Sequence, residues 1–301
     1  MKVRTFLRSI LAFSTAFLFL PLTYALNNRA VQKSGEKERA QTILAQMKKA
    51  VFGGIKPDSV TGLSLTWDVS RSRANGDQDT GQFACDLLLP NKYFTRDTQV
   101  VSGSQGQFTI YKLLNGEQSW SDVTTSGGEI QVLTAGGAPT ADDQIKQLQT
   151  IRREQALQLI RLSLPPSPDF PLTFSYAGEA QASDGRADMI DVRGPNDFSA
   201  RLFVDKGSSR LILMTYPEPG AMLISGSSGA APVGQATSPK DVTRAEAKYR
   251  FSEYKEVGGV MIPHLMTYES GGKIRAEYKL KRFELNPNFA PDHFNPSKKR
   301  K

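Results

Sequence analysis

Residues 272–285 read GKIRAEYKLKRFEL, and this stretch decides the fold. Apolar side chains at Ile274, Ala276, Tyr278 and Leu280 alternate with charged ones. A period of two is typical of a β-strand with one buried face and one solvated face. Because the preceding segments 249–254 and 258–268 are also strand-like, the end of the chain predicts an antiparallel meander over an apolar interior.

The alternation changes phase at Lys281 and Arg282, so that Phe283 and Leu285 take the face that Lys281 would have held. A one-residue slip moves every later side chain to the other face, and a β-bulge produces such a slip. We therefore predict a bulge here, near an edge of the sheet. The following residues 286–294, NPNFAPDHF, predict a terminal turn that His293 helps to fix.

The rest of the chain predicts further hairpins and two helical regions. Apolar residues spaced three and four apart from Glu36 onward indicate an amphipathic helix that stops at Gly53 and Gly54. Residues 141–164 predict one or two more helices. Strands are predicted at 62–90, as a hairpin, and at 92–98, 107–114, 119–123, 129–133, 172–176, 189–193, 200–204 and 211–216.

The N-terminus predicts export. An apolar run at 10–22 follows the basic residues Lys2, Arg4 and Arg8, and small residues come after it where a signal peptidase cuts. We therefore expect a cleaved signal peptide at 1–25 and a periplasmic protein. A secreted protein, or one anchored by an uncleaved signal, is the alternative. We expect a flexible lead at 26–35, a single domain at 36–295 with a mobile insertion at 217–242, and a basic tail at 296–301.

Composition narrows the class of protein. The formal net charge of +8 is spread along the chain without a basic cluster outside the tail, so no nucleic-acid partner is expected. Cys85 is the only cysteine and shares its strand phase with Phe83 and Leu87, so we interpret it as a small buried apolar residue and expect no intramolecular disulfide.

In its order of elements, this sequence resembles the LolA-like family, which includes periplasmic lipoprotein carriers and outer-membrane lipoprotein-sorting proteins. The resemblance is carried by LLPNKYFTR at 88–96, by LNG at 114–116 with Trp120, by LFVD at 202–205 with 211–214, by YKEVGGVMIP at 254–263, and by Asn286 and Phe294. It implies an α+β, mainly β, fold: an incomplete, strongly curved antiparallel β-barrel with an N-terminal helix and a central helical lid segment.

The resemblance also implies a cavity that receives a lipid or the acyl chains of a lipoprotein, carried across the periplasm toward the outer membrane. The partners would be a lipid or lipidated protein, with transient contact with a membrane or membrane-bound partners, and a monomer is expected. The alternative is a protein-binding sensor or scaffold of the cell envelope with a filled barrel.

Apolar residues of the predicted strands and helices are candidates for this site, although each of them also fits ordinary core packing. The lid candidates are Ile145, Leu148, Leu159 and Ile160. The ligand-binding candidates, as a cavity wall, are Leu63, Leu65, Trp67, Phe83, Phe94, Phe108, Trp120, Phe174, Leu213, Ile262, Ile274, Tyr278 and Leu280.

Catalytic and metal-binding motifs are missing from the sequence. It has two histidines and neither a metal-binding His or Cys pair nor a nucleophile elbow, so we expect a non-enzymatic protein without a cofactor. His264 shares a strand phase with Ile262 and Met266 and is interpreted as a core or cavity residue. Asn75, Asp77 and Asp79 lack the glutamate of a calcium loop and predict a solvated turn.

Overall fold

The computed structural model describes residues 20–73, 75–101, 103, 106–127, 140–182, 185–217 and 246–295. Two helices lie in this part of the chain, α1 (Leu20–Phe52) and α2 (Ala141–Arg161). Its strands are β1 (Gly62–Ser72), β2 (Gln78–Leu88), β3 (Lys92–Val100), β4 (Gln107–Asn115), β5 (Gln118–Ser126), β6 (Thr173–Ala182), β7 (Gly185–Arg193), β8 (Ser199–Asp205), β9 (Leu211–Pro217), β10 (Glu246–Val257), β11 (Val260–Ser270) and β12 (Lys273–Leu285).

These strands form one open antiparallel sheet in the order β5-β4-β3-β2-β1-β12-β11-β10-β9-β8-β7-β6. The first and last strands pair at its centre, and β5 and β6 are its two edges. An open sheet of this size curls because adjacent strands twist, and the helices cover what we call the inner face. The prediction of a mainly β fold built as an incomplete barrel is confirmed.

Asn286 ties the end of β12 to the start of β1. Its side-chain Oδ1 accepts a hydrogen bond from the N–H of Thr61 at 2.7 Å, and its Nδ2 donates to the carbonyl of Ser59 at 2.9 Å. Asn286 has a φ of +52°, and asparagine is among the residues that most readily adopt this left-handed conformation. The stop predicted after Leu285 is therefore built from one side chain and one backbone conformation.

The predicted bulge in β12 is confirmed. Thr66 of β1 pairs with Arg282 and Trp67 pairs with Leu280, so Lys281 is the extra residue. Its position differs from the prediction, because the β1–β12 pair lies in the middle of the sheet and not near an edge.

Helix α1 packs against β6 and β11. Ala40, Ile43, Met47 and Val51 are buried in the main core, at the spacing that the sequence predicted. The helix starts earlier than the predicted Glu36, so the segment 26–35, predicted to be a flexible lead, is helical.

Several predicted features lie outside the described residues. These are residues 1–19 of the predicted signal peptide, the whole predicted strand at 129–133, the predicted insertion after Pro217 and the predicted basic tail. None of the helices in the described ranges is long and apolar enough to cross a bilayer.

Candidate ligand-binding cleft between helix and sheet

Helix α2 lies across the inner face at the β4–β5 side of the sheet and leaves a cleft of about 310 Å³. A volume of this size is at the lower end of the range of small-molecule sites. The cleft is lined by Phe83, Tyr93, Thr95, Asp97, Ile110, Lys112, Thr150, Arg153, Glu154, Leu157, Gln158, Arg161, Tyr216, Tyr249, Met266 and Tyr278.

Aromatic rings from six neighbouring strands, β2, β1, β12, β11, β10 and β9, form a run that we call the aromatic wall, and four of these rings line one side of the cleft. Each ring lies within 6.3 Å of the next, a separation at which aromatic pairs attract one another. In order of contact, the wall comprises Trp67, Phe83, Tyr278 and Tyr249, with Tyr216 and Tyr268 on either side of Tyr249. It offers an apolar surface with hydroxyl groups set into it.

Burial affects the tyrosines of this wall. It raises the pKa of the Tyr278 and Tyr216 hydroxyls, because a charged phenolate would lose its hydration. These hydroxyls therefore stay protonated and can donate hydrogen bonds to a ligand.

Two ion pairs neutralise charges beside the aromatic wall. Lys112 on β4 pairs with Glu154 on α2 at 2.5 Å, and Arg71 on β1 pairs with Asp97 on β3 at 2.7 Å. Burial raises the pKa of Asp97, and the guanidinium of Arg71 opposes that rise. Arg161 lies against the wall with its guanidinium carbon 3.7 Å from the ring centre of Tyr249.

Local sequence and ion pairs hold α2 in place. Thr140 caps the helix by accepting from the N–H of Asp143, whose carboxylate accepts from the N–H of Thr140, a reciprocal capping box. Arg152 pairs with Glu117 in the β4–β5 turn at 2.5 Å. Partly exposed pairs such as these contribute little stability each, so α2 is held mainly by its buried residues from Ile151 onward.

Known structures with a similar architecture have low sequence identity to this chain. A LolA superfamily protein from Nitrosomonas europaea has 11% identity and a TM-score of 0.46, and the match covers 86% of this chain and 98% of that chain. A putative outer membrane lipoprotein-sorting protein domain from Vibrio parahaemolyticus has 9% identity, a TM-score of 0.46, and coverage of 87% and 98%. The fold resembles that of LolA-like proteins. No family model and no curated protein matches the sequence.

Eight of the predicted wall residues face the interior of this LolA-like half-barrel. Four are buried in the main core and four are partly buried against it. The buried ones are Leu63, Leu65, Trp67 and Ile262, and the partly buried ones are Phe83, Phe174, Tyr278 and Leu280. Of these eight, Phe83 and Tyr278 line the cleft and Phe174 lines a smaller cavity.

Phe94 and Trp120 lie on the other face of the sheet, so their prediction as inner-wall residues is wrong. They form a second apolar cluster with Leu113 and Phe294, beneath the C-terminal turn. His293 fixes this turn, with its Nε2 2.8 Å from an oxygen of Asp86. The terminal turn gives these aromatic residues a second sheltered surface, which strand periodicity alone does not reveal.

Two further wall predictions are wrong because bulges change the phase of their strands. Phe203 pairs with Leu213 and Val204 pairs with Leu211, so Leu213 leaves the inner face and Met214 occupies it, fully buried. In β12 a second register shift leaves Ile274 58% exposed. Phe108 is buried but belongs to neither apolar cluster.

The lid candidates divide along the length of α2. Leu159 and Ile160 are buried and Leu148 packs partly buried against the main core. Ile145 is 53% exposed, because the first turns of α2 project beyond the core, so its role in a lid stays a prediction.

Sequence patterns did not identify four residues of this region, namely Arg161, Tyr216, Tyr249 and Tyr268. Tyr249 and Tyr268 have the alternating phase of inner residues in β10 and β11, and this signal was available. The position of Arg161 against Tyr249 depends on how α2 docks, which no local pattern encodes.

Two other depressions suit an alkyl chain less well than the cleft does. Between α1, α2 and β8 the remaining void is only about 50 Å³, so this side of the half-barrel is filled. A larger depression, about 710 Å³, lies on the outer face and is lined mainly by polar side chains such as Asp68, Gln82, Thr98 and Glu277. The void beside α1 is much smaller than the cleft, and the depression on the outer face is more polar than the cleft.

His264 and the polar β1–β2 turn, the sequence-based candidates for a catalytic or metal-binding role, do not line the cleft. The imidazole of His264 contacts the carbonyl of Ile262 at 3.1 Å. Asn75 and Asp77 hydrogen-bond to each other within the β1–β2 turn. Within the described ranges, no group of three His, Cys, Asp or Glu side chains is arranged to hold a metal ion.

Proposed function

We propose that this protein is exported to the periplasm and binds an amphiphilic lipid or the acyl chain of a lipidated protein in the cleft between α2 and the sheet. One observation carries the proposal: a cleft of about 310 Å³ with the aromatic wall on one side and a helix on the other. Aromatic rings and methionine provide a smooth apolar surface for an alkyl chain, and the tyrosine hydroxyls suit a polar group attached to it.

Energetics fit a carrier that loads and releases its ligand. Each buried methylene contributes about 0.8 kcal/mol, so eight methylenes contribute roughly 6 kcal/mol before the costs of ordering and association. Such a ligand would bind reversibly. The buried residues of α2 lie from Ile151 onward, so movement of its more exposed N-terminal turns would open the cleft for longer chains and for transient contact with a membrane.

A pair of substitutions on β12 tests the proposal. Tyr278→Lys places a charge on the aromatic wall, whereas Ile274→Lys places the same side chain on an exposed position of the same strand. Binding of the apolar dye N-phenyl-1-naphthylamine is measured by fluorescence, and native mass spectrometry is used to detect lipid adducts in protein purified without detergent. We expect Tyr278→Lys to lose dye and adducts, and Ile274→Lys to keep both.

A wild-type protein that carries no adduct and excludes the dye would contradict the proposal. It would favour the envelope sensor or scaffold, which the filled volume between α1 and β8 also suits. Circular dichroism of both variants separates loss of binding from loss of the fold.

A further inference from the structure

Arg161 is a cation without a carboxylate partner in the cleft. Its guanidinium stacks on Tyr249, and its buried Nε has no hydrogen-bond partner within the described part of the chain. No carboxylate of the described residues lies within ion-pair distance of it. A buried charge is costly unless it is paired and hydrogen-bonded, so Arg161 in this arrangement is able to bind an anion strongly.

The two acidic side chains that line the cleft are each paired with a different basic residue, so neither is available to Arg161. Glu154 is paired with Lys112, and Asp97 is paired with Arg71. Two features keep Arg161 charged in this position: it lies in the last turn of α2, where the helix dipole favours a cation, and the face of Tyr249 attracts it. The hydroxyl of Tyr249 also accepts a hydrogen bond from the guanidinium, and the Nε of Arg161 is left without an acceptor among the described residues.

We propose that Arg161 makes the cleft selective for amphiphiles that carry an anionic group, a phosphate or a carboxylate. This inference rests on the proposed function and adds the class of head group. The planar guanidinium binds either anion through two parallel hydrogen bonds. The hydroxyls of Tyr249 and Tyr278 add donors, while the alkyl chain lies on Phe83 and Met266, which line the same cleft.

Displacement of N-phenyl-1-naphthylamine by matched probes tests the inference. Dodecyl phosphate and dodecanol have the same chain and differ in the head group, and inorganic phosphate has the anion alone. Because hydrogen bonds to charged groups are stronger than neutral ones, we expect dodecyl phosphate to displace the dye at an about 10- to 100-fold lower concentration than dodecanol. Inorganic phosphate at millimolar concentration should not displace it.

Variants assign the preference to the residue. Arg161→Met should abolish the difference between the two dodecyl probes, and Arg161→Lys should keep part of it. Arg282→Met, at an exposed arginine paired with Glu284, should leave it unchanged. Because Arg161→Met removes an uncompensated buried charge, its melting temperature should stay the same or rise.

The outcomes separate the two proposals. Equal displacement by both dodecyl probes would overturn the role of Arg161 and leave the apolar cleft standing, whereas no displacement by either would overturn both. Displacement by inorganic phosphate alone would assign the site to a free anion and overturn the amphiphile. A lower melting temperature of Arg161→Met with an unchanged preference would make Arg161 a purely structural residue.

Discussion

Replacing Ser163 with glycine should stabilise this protein, and the end of α2 shows why. The N–H of Leu164 donates to the carbonyl of Leu159 at 2.8 Å, and the N–H of Ser163 donates to that of Ile160 at 3.0 Å. This is the Schellman arrangement, in which the residue that ends the helix has a left-handed conformation and is usually glycine. Ser163 has a φ of +57° and is buried, and its hydroxyl has no hydrogen-bond partner in the described ranges.

The expected magnitude follows from opposing contributions. Relief of the left-handed conformation contributes about 1–2 kcal/mol, and removal of an unsatisfied buried hydroxyl contributes about 1–3 kcal/mol. Glycine costs about 0.5–1 kcal/mol in chain flexibility, and enlarging the adjacent void of about 50 Å³ costs a further fraction of a kcal/mol. The net increase in the free energy of unfolding should be about 2 kcal/mol, or roughly 4–8 °C in melting temperature.

Urea and thermal unfolding followed by circular dichroism measure this change. Ser163→Ala removes the hydroxyl but keeps the backbone conformation, so its gain should be smaller, about 1 kcal/mol. Ser209→Gly, at a partly exposed serine with a φ of +55°, should gain no more than about 1 kcal/mol. If Ser163→Gly were less stable than wild type, the reasoning on this helix end would be refuted.

Other features make separate predictions. The basic partners of Glu179 lower its pKa from 4.5 to about 2 through hydrogen bonds. Its ionised form therefore stabilises the fold above pH 4.5, and this contribution is lost as the pH falls toward 2. When thermal unfolding is measured against pH, the difference in melting temperature between wild type and Glu179→Gln should shrink between pH 4.5 and 2. Met214→Lys should prevent folding because the side chain is fully buried, whereas Leu213→Lys should change the free energy of unfolding by less than about 1 kcal/mol. Similar losses of stability in both variants, measured by urea unfolding, would contradict the assigned register. Burial raises the pKa of Cys85, so Ellman's reagent should modify it only after denaturation, and rapid labelling of the folded protein would contradict its burial.

The sequence predicted individual elements well because local patterns determine them. The apolar spacing in α1 and the glycines after Phe52 produced the packed face and the end of that helix as expected. The phase change at Lys281 predicted the bulge in β12. Each of these features depends on neighbours in the chain, so periodicity is sufficient to find it.

The cleft was predicted less completely, since its residues come from strands that are distant in sequence. Tyr278 and Phe83 were expected on its wall, but Phe94 and Trp120 were assigned to the wrong face. Both faces of the sheet are sheltered near the C-terminal turn, so an apolar residue there does not indicate which face it occupies. Arg161 was missed because its partner Tyr249 lies on β10.

The sequence by itself therefore determined a chain of hairpins with two helices and the phase of most strands, because hydrophobic periodicity and turn residues act locally. Only the tertiary structure decided that β1 and β12 meet at the centre of an open sheet and that α1 fills one side of the half-barrel. It also decided that α2 leaves a cleft over an aromatic wall with Arg161 in it. These features depend on how twist, bulges and helix docking combine over the whole sheet, which no window of sequence contains.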